Sequence, residues 1–215
     1  MAQRIVHYLL ACRMADCCPA ADRQRFLAGS LLPDAYVSPK DRDKTHYRIL
    51  AGTARMYDFE RFRTEYRDHV LNDDLYLGYY LHLVEDAVYR HFLWSGGYER
   101  PATPEQAAQI HRDYRILNAY FIRTYDLRNE LTVMPSLAGE PLSEHMRLSA
   151  EQIANELQAD FTDTLTGTFR YVNEAMMEQY IARVFPICLQ EMQEIRNGRF
   201  SLDPRTYTYH TETPK

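Results

Sequence analysis

The sequence predicts an all-α protein, a single helical bundle of about six to seven helices, and three observations carry that expectation. Apolar residues recur at helical spacing along most of the chain, and sustained period-2 alternation of β-branched residues is nearly absent. The 8 Gly and 10 Pro among 215 residues are also few for the turns that an all-β protein of this length needs.

The first helix is expected over residues 3–17, where Ile5, Tyr8, Leu9 and Cys12 fall at i, i+3, i+4 and i+7. Pro19 can open a short second helix that turns Phe26 and Leu27 inward and stops at Gly29. Residues 30–52 read as a loop, because Pro33, Pro39 and the charged run Lys40-Asp41-Arg42-Asp43-Lys44 break any apolar pattern. Long ordered loops of this kind are often functional. A third helix is expected over 53–70, with Met56, Phe59, Phe62 and Tyr66 on one stripe. Asn72, Asp73 and Asp74 then supply caps and favourable charge for a helix running to about Leu93. That helix is apolar and aromatic enough to lie at the centre of the fold. After Gly96-Gly97, the signal Pro101-Ala102-Thr103-Pro104 opens a long helix over 104–126, and residues 128–142 form a second irregular segment around Pro135, Gly139 and Pro141. Helices near 149–161 and 172–196 complete one domain over residues 1–203. Gly198 suits the last C-cap, and the tail 204–215 is expected to be loose.

Charge and cysteine usage narrow the function classes. The 25 Lys and Arg against 30 Asp and Glu give a net charge of −5, which disfavours a nucleic-acid-coating protein, so no stable nucleic-acid partner is expected. No apolar run approaches the roughly 20 residues that span a bilayer, so no transmembrane anchor is expected. The apolar stretch at 5–12 is interrupted by His7 and leads into Arg13 and Asp16, which makes a poor signal-peptide core and points to a cytoplasmic location. Cys12, Cys17, Cys18 and Cys188 lack the paired spacing of a disulfide scaffold or zinc ribbon and read as free thiols. Oligomeric state is left open.

The residues that point to chemistry begin in the central helix, in the run Tyr79-Tyr80-Leu81-His82-Leu83-Val84-Glu85-Asp86. His82 and Asp86 stand one turn apart on one face and are ligand types that a divalent metal accepts. Such a pair is more often hydrogen-bonded at a surface. Here Leu75, Tyr79 and Leu83 share its side, and burying it uncompensated would be costly. The 30–52 segment adds Asp34, after Leu31-Leu32-Pro33, and His46, before Tyr47. Asp34, His46, His82 and Asp86 together make a two-His, two-Asp set able to complete one metal site.

This order of residues resembles the zinc-dependent phospholipase C family, which shares its all-helical fold with the single-strand-specific zinc nucleases. The resemblance lies in Gly29-Ser30-Leu31-Leu32-Pro33-Asp34, then His46, then Gly78-Tyr79-Tyr80-Leu81-His82-Leu83-Val84-Glu85-Asp86, with an early helix carrying His7, and it covers residues 7–91. It implies that Asp34, His46, His82 and Asp86 bind one zinc, and that Asp86 bridges to a second held partly by His7. Two departures narrow that expectation. The family's mature enzymes use an N-terminal amine exposed by signal cleavage, whereas this sequence has Met1. The family's third zinc uses a His shortly after the bridging Asp and a downstream His-X-X-X-Glu pair. Here His91 lies five residues beyond Asp86, about 140° around a regular helix, and no such pair follows. The expected centre therefore holds one or two ions, zinc first, with Mn2+ or Fe2+ as alternatives.

Further candidate ligands are His91, His111 and Asp113, the last two flanking the apolar stripe of the helix over 104–126. Asn118 shares the His111 side and is a candidate substrate-binding residue. Tyr47, Tyr79 and Tyr89 are candidates for a pocket mouth. His69, His145 and His210 read as background. A divalent ion lowers the pKa of bound water toward about 7, which makes hydroxide attack on a phosphodiester or phosphomonoester feasible. Asp34 is the candidate proton acceptor, Glu85 pointing off the ligand face, and Arg90 is the candidate stabiliser of developing phosphate charge. The sequence thus predicts a metal-dependent hydrolase of phosphoric esters acting on a small phosphorylated or lipid-like substrate. The alternative is a non-enzymatic helical binding module with a structural or vestigial metal site.

Overall fold

Residues 3–51, 54–98, 103–163, 165–207 and 209–210 are described in the computed structural model, with backbone alone at 51, 54, 55, 209 and 210. The helices among them are α1 (Arg4–Cys17), α2 (Arg23–Gly29), α3 (Arg42–Thr45), α4 (Phe59–Asn72), α5 (Asp74–Ser95), α6 (Pro104–Thr124), α7 (Pro141–His145), α8 (Ala150–Thr162) and α9 (Glu174–Arg196). Most start at a residue whose side chain accepts a hydrogen bond from a first-turn N–H: Asp22, Asp58, Asp73, Thr103, Ser149 and Asn173. Thr103 forms a full capping box with Gln106, and Pro104 occupies a first-turn position that needs no donor.

The chain is predominantly helical rather than wholly so. Strands β1 (Arg48–Ala51), β2 (Ala54–Tyr57) and β3 (Tyr209–His210) form a small antiparallel sheet in that order, with Ile49 opposite Met56 and Ala54 opposite His210. This corrects two expectations. The helix expected over 53–70 begins only at Phe59, where Asp58 caps the Arg61 N–H, and Met56 belongs to a strand. A four-residue strand offers too few alternations to compete with an apparent helical stripe in the sequence. The segment expected to be a loose tail carries a 3-10 turn at Pro204–Tyr207, and β3 pairs with β2; residues 211–215 lie outside those described. The segment at 30–52 is also more ordered than a loop. It holds 3-10 turns at Leu32–Asp34 and Pro39–Asp41, each with proline in its first turn, then α3 and β1.

Helix α5 runs through the middle of the core, buried on all sides over most of its length, as its largely apolar and aromatic sequence favours, with His82, Glu85 and Asp86 buried in it as well. Helices α2, α4 and α9 pack against it, and α1 lies against α2, α6 and α9. The buried tyrosines place rings in the core and satisfy their hydroxyls there: Tyr76 donates to Glu140, Tyr80 to Glu191 and Tyr180 to the Glu85 carbonyl. The closest packing is between α2 and α5, at two glycines. A Cβ on Gly29 would fall 2.0 Å from the Leu75 carbonyl oxygen, and one on Gly78 would fall 2.3 Å from the Phe26 carbonyl oxygen. Both obstacles are backbone, so neither can yield without moving a helix.

Gly78→Ala is therefore expected to destabilise the protein by about 3 kcal/mol, at the upper end of ordinary overpacking. Urea unfolding checks this: an unchanged midpoint would contradict the backbone contact.

Candidate metal centre

Three elements converge beside the α2–α5 contact. Helix α1 contributes His7, the 30–52 segment contributes Asp34 and His46, and α5 contributes His82 and Asp86. His7, Asp34 and His82 form one group whose ligand atoms lie within 4.8 Å of one another, and His46, His82 and Asp86 form a second, so His82 belongs to both. The expected position of the centre, between the first helix, the 30–52 segment and the central helix, is where these donors meet.

Each imidazole is held at Nδ1 and leaves Nε2 facing the others. His82 Nδ1 donates to the Ser30 carbonyl at 2.7 Å, and His46 Nδ1 donates to the Arg42 carbonyl at 2.8 Å. His7 Nδ1 pairs with Glu85 Oε2 at 2.5 Å. The three Nε2 atoms and Asp34 Oδ1 are buried without a hydrogen-bond partner. His46 Nε2 stands 3.3 Å from Asp34 Oδ1 and 3.7 Å from Asp86 Oδ2, and His7 Nε2 stands 3.6 Å from Asp86 Oδ1. The His7 and His82 rings stack at 3.8 Å. Tyr57, on β2, donates to Asp86 Oδ2 at 3.1 Å. A neutral imidazole fixed through one nitrogen and bare at the other is the form in which histidine ligates a metal.

The electrostatics of the cluster favour a cation. Burial opposes charge on His7, yet the Asp86 and Glu85 carboxylates beside it outweigh that and raise its pKa from 6.5 to about 10, so without metal the ring is protonated and an ion would displace the proton on Nε2. Burial and the neighbouring His7 push His82 down to about 3, which keeps it neutral. Burial also works against ionised Asp34 and Asp86, but His46 and the other imidazoles hold Asp34 below the usual carboxylate range, and the positive charge around Asp86, of which the imidazoles are only a part, holds it well below. Burial pushes Glu85 upward despite its bond to His7. All the donors are nitrogen and oxygen, a set suited to zinc and equally to manganese or iron. The residues present thus fit a divalent ion; the two overlapping groups share the single bare nitrogen of His82 and are alternative seats for it, and a second ion would need a bridging carboxylate.

Several expected site residues are elsewhere. His91 is half-buried on α5 with its ring edge-on to Tyr207, and His111 is exposed on α6 beside Tyr114. Asp113 is fully buried but accepts hydrogen bonds from the backbone N–H groups of Arg170, Tyr171 and Val172, so it pins that segment instead of ligating. Tyr47 donates to Glu65, and Tyr79 donates to the Thr45 carbonyl; both are buried braces of the 30–52 segment, not parts of a mouth. Tyr89 pairs with the Tyr114 hydroxyl, and Asn118 lies between Gln3 and Asp160, to which it donates at 3.0 Å. His69 stacks on Tyr76, His145 is exposed, and the His210 side chain lies outside the described residues. Arg90 is half-buried one turn beyond Asp86.

Four residues around the donors were not anticipated. Ser30 and Arg42 act through backbone carbonyls, which no side-chain pattern reports, and Tyr57 reaches the centre from a strand. Glu85 does point away from the other α5 donors, but it points at His7 on α1. A carboxylate inside so apolar a run was the available signal.

Zinc added to metal-free protein is expected to raise the unfolding free energy by about 4 kcal/mol when free metal is a thousandfold above Kd, and a chelator to reverse it. Differential scanning calorimetry reads this, and His82→Ala should remove the shift because His82 serves both groups. Asp113→Ala is expected to cost about 3 kcal/mol through its orphaned N–H donors and to leave the zinc-dependent shift intact; loss of that shift would return Asp113 to the ligand set.

No family model, curated protein or solved structure matches this chain.

Proposed function

We propose that the chain is a metal-dependent hydrolase of phosphoric esters, with one or two divalent ions, zinc first, held by His7, Asp34, His46, His82 and Asp86. One observation carries this: three buried imidazoles keep their Nε2 atoms unpartnered around two carboxylates while each Nδ1 is already held. Each unsatisfied buried polar atom costs about 1–3 kcal/mol, and a shared cation is the economical partner for all of them. The order of these residues, with its resemblance to the zinc-dependent phospholipase C family, supports phosphoric esters as the substrate class.

When bound, the ion supplies Lewis acidity, acidifying a water and polarising a phosphoryl oxygen. The chain's own residues do the rest. Asp34 has 9% of its side chain exposed while the side chains of His7, His46 and Asp86 have none, so substrate and water approach from the Asp34 side. There its carboxylate, held ionised by the imidazoles and too weakly basic to retain a proton, orients water by accepting its hydrogen bond. Arg90, one turn beyond Asp86, meets the charge that develops on phosphate. The substrate is a small phosphorylated or lipid-like ester.

That same burial favours a second reading, a closed structural ion in a non-enzymatic helical module, since structural metal sites leave no open position.

Hydrolysis of p-nitrophenyl phosphate and bis-p-nitrophenyl phosphate separates the two. Activity is expected to vanish on chelation and return with zinc or manganese, and Arg90→Ala to lower kcat by about 100-fold. Tightly bound metal with no turnover of either ester favours the structural ion; absence of bound metal overturns both.

A further inference from the structure

Glu85 sits where a carboxylate is expensive. It lies in the middle of α5, fully buried, and its Oε1 has no hydrogen-bond partner. Its backbone is fixed by the Tyr180 hydroxyl, which donates to the Glu85 carbonyl at 2.9 Å from α9. Its Oε2 contacts His7 Nδ1 at 2.5 Å. The other two imidazoles of the centre are held at Nδ1 by neutral carbonyls, those of Ser30 and Arg42. His7 alone is held by a carboxylate.

We infer that Glu85 is the positioning residue of the metal centre: it fixes the His7 tautomer with the proton on Nδ1, turns Nε2 toward Asp34 and Asp86, and strengthens His7 as a donor through its negative charge. This rests on the metal centre and not on the reaction proposed for it. The physical case is a difference between partners. A carbonyl and a carboxylate both accept the Nδ1 proton and set the ring's orientation, but only the carboxylate makes the opposite nitrogen appreciably more basic. The carboxylate also offsets part of an ion's charge inside a core of low dielectric. A pair that served only to join α1 to α5 would gain nothing from ionisation and would bear the cost of burying it, and apolar residues of the same volume would hold the helices as well.

Glu85→Gln tests this, because the amide oxygen still accepts from Nδ1 while the charge is lost. Zinc affinity is measured by competition with a chelator of known Kd, beside the thermal midpoint of the metal-free protein. Glu85→Gln is expected to weaken zinc binding by about 10–100-fold and to lower the metal-free midpoint, since buried His7 loses one of the two carboxylates that hold its charge. In a His7→Ala background the same change should leave zinc affinity unaltered, because Glu85 then has nothing to act through. Wild-type affinity in Glu85→Gln overturns the inference, and so does an equal loss with and without His7. If Glu85→Gln does not fold, Glu85→Asp replaces it: the shortened carboxylate retreats from Nδ1, the expected loss is again dependent on His7, and wild-type affinity again overturns the inference. A wild-type protein that binds zinc yet hydrolyses no ester overturns the proposed function alone, and one that binds no zinc overturns both.

Discussion

Three imidazoles and three carboxylates are buried at one point of an otherwise apolar helical core, and the rest of the structure is arranged to bear that cost. His7, His46, His82, Glu85 and Asp86 are all fully buried, and Asp34 nearly so. Helices packed only for hydrophobic burial would exclude such a cluster, because each uncompensated charge or bare polar atom costs as much as several buried methylenes gain. Compensation comes from fixed neighbours instead of water. The Ser30 and Arg42 carbonyls and the Glu85 carboxylate each hold one ring, and Tyr57 donates to Asp86.

Those neighbours exist only because the backbone is held closely around the cluster. The contact of Gly29 with the Leu75 carbonyl and of Gly78 with the Phe26 carbonyl draws the end of α2 onto α5, which delivers the Ser30 carbonyl to His82 one turn later. The short helix α3 turns the Arg42 carbonyl back onto His46, and the Tyr79 hydroxyl ties the Thr45 carbonyl to α5. The hairpin of β1 and β2 brings Tyr57 to Asp86. The 30–52 segment, built of short turns, α3 and β1, is thereby tied at several points to the helices, in keeping with the demand that metal donors be set to within fractions of an ångström.

What was legible in the sequence follows from these roles. The helical periodicity of α1, α5, α6 and α9 reports burial against a neighbour, which a single chain segment encodes by itself. Asp34, His46, His82 and Asp86 were legible because donor chemistry, and for the last two one-turn spacing, are side-chain properties, whereas His7 was legible only through the resemblance in the order of residues. The strands were not, since β1 and β2 are too short for alternation to be seen and are set by pairing with each other and with β3. Asp113 shows the opposite failure. A carboxylate at the edge of an apolar stripe looks the same in sequence whether it faces a metal or three backbone N–H groups, and only the tertiary path of residues 165–172 distinguishes them. Glu85 was rightly placed off the ligand face, but its role stayed hidden because its partner is on another helix, seventy-eight residues away in sequence.

Charge balance links the number of ions to what the centre can do. With Asp34, Asp86 and Glu85 ionised, one divalent ion held by His46, His82 and Asp86, together with the proton that His7 keeps, brings the cluster close to neutrality. A second divalent ion, displacing that proton, would leave one positive charge. In a buried site of low effective dielectric, that difference matters more than any single contact at the rim. A centre with one ion is close to neutral, which suits a closed structural role. A centre with two ions attracts the anion and gains further as charge develops on it. His82, the residue common to both donor groups, has one bare nitrogen and serves one ion, so bridging two ions would fall to a carboxylate, Asp86, whose two oxygens face His7 and His46. The metal content of the folded protein therefore bears on the proposed hydrolysis as directly as turnover does.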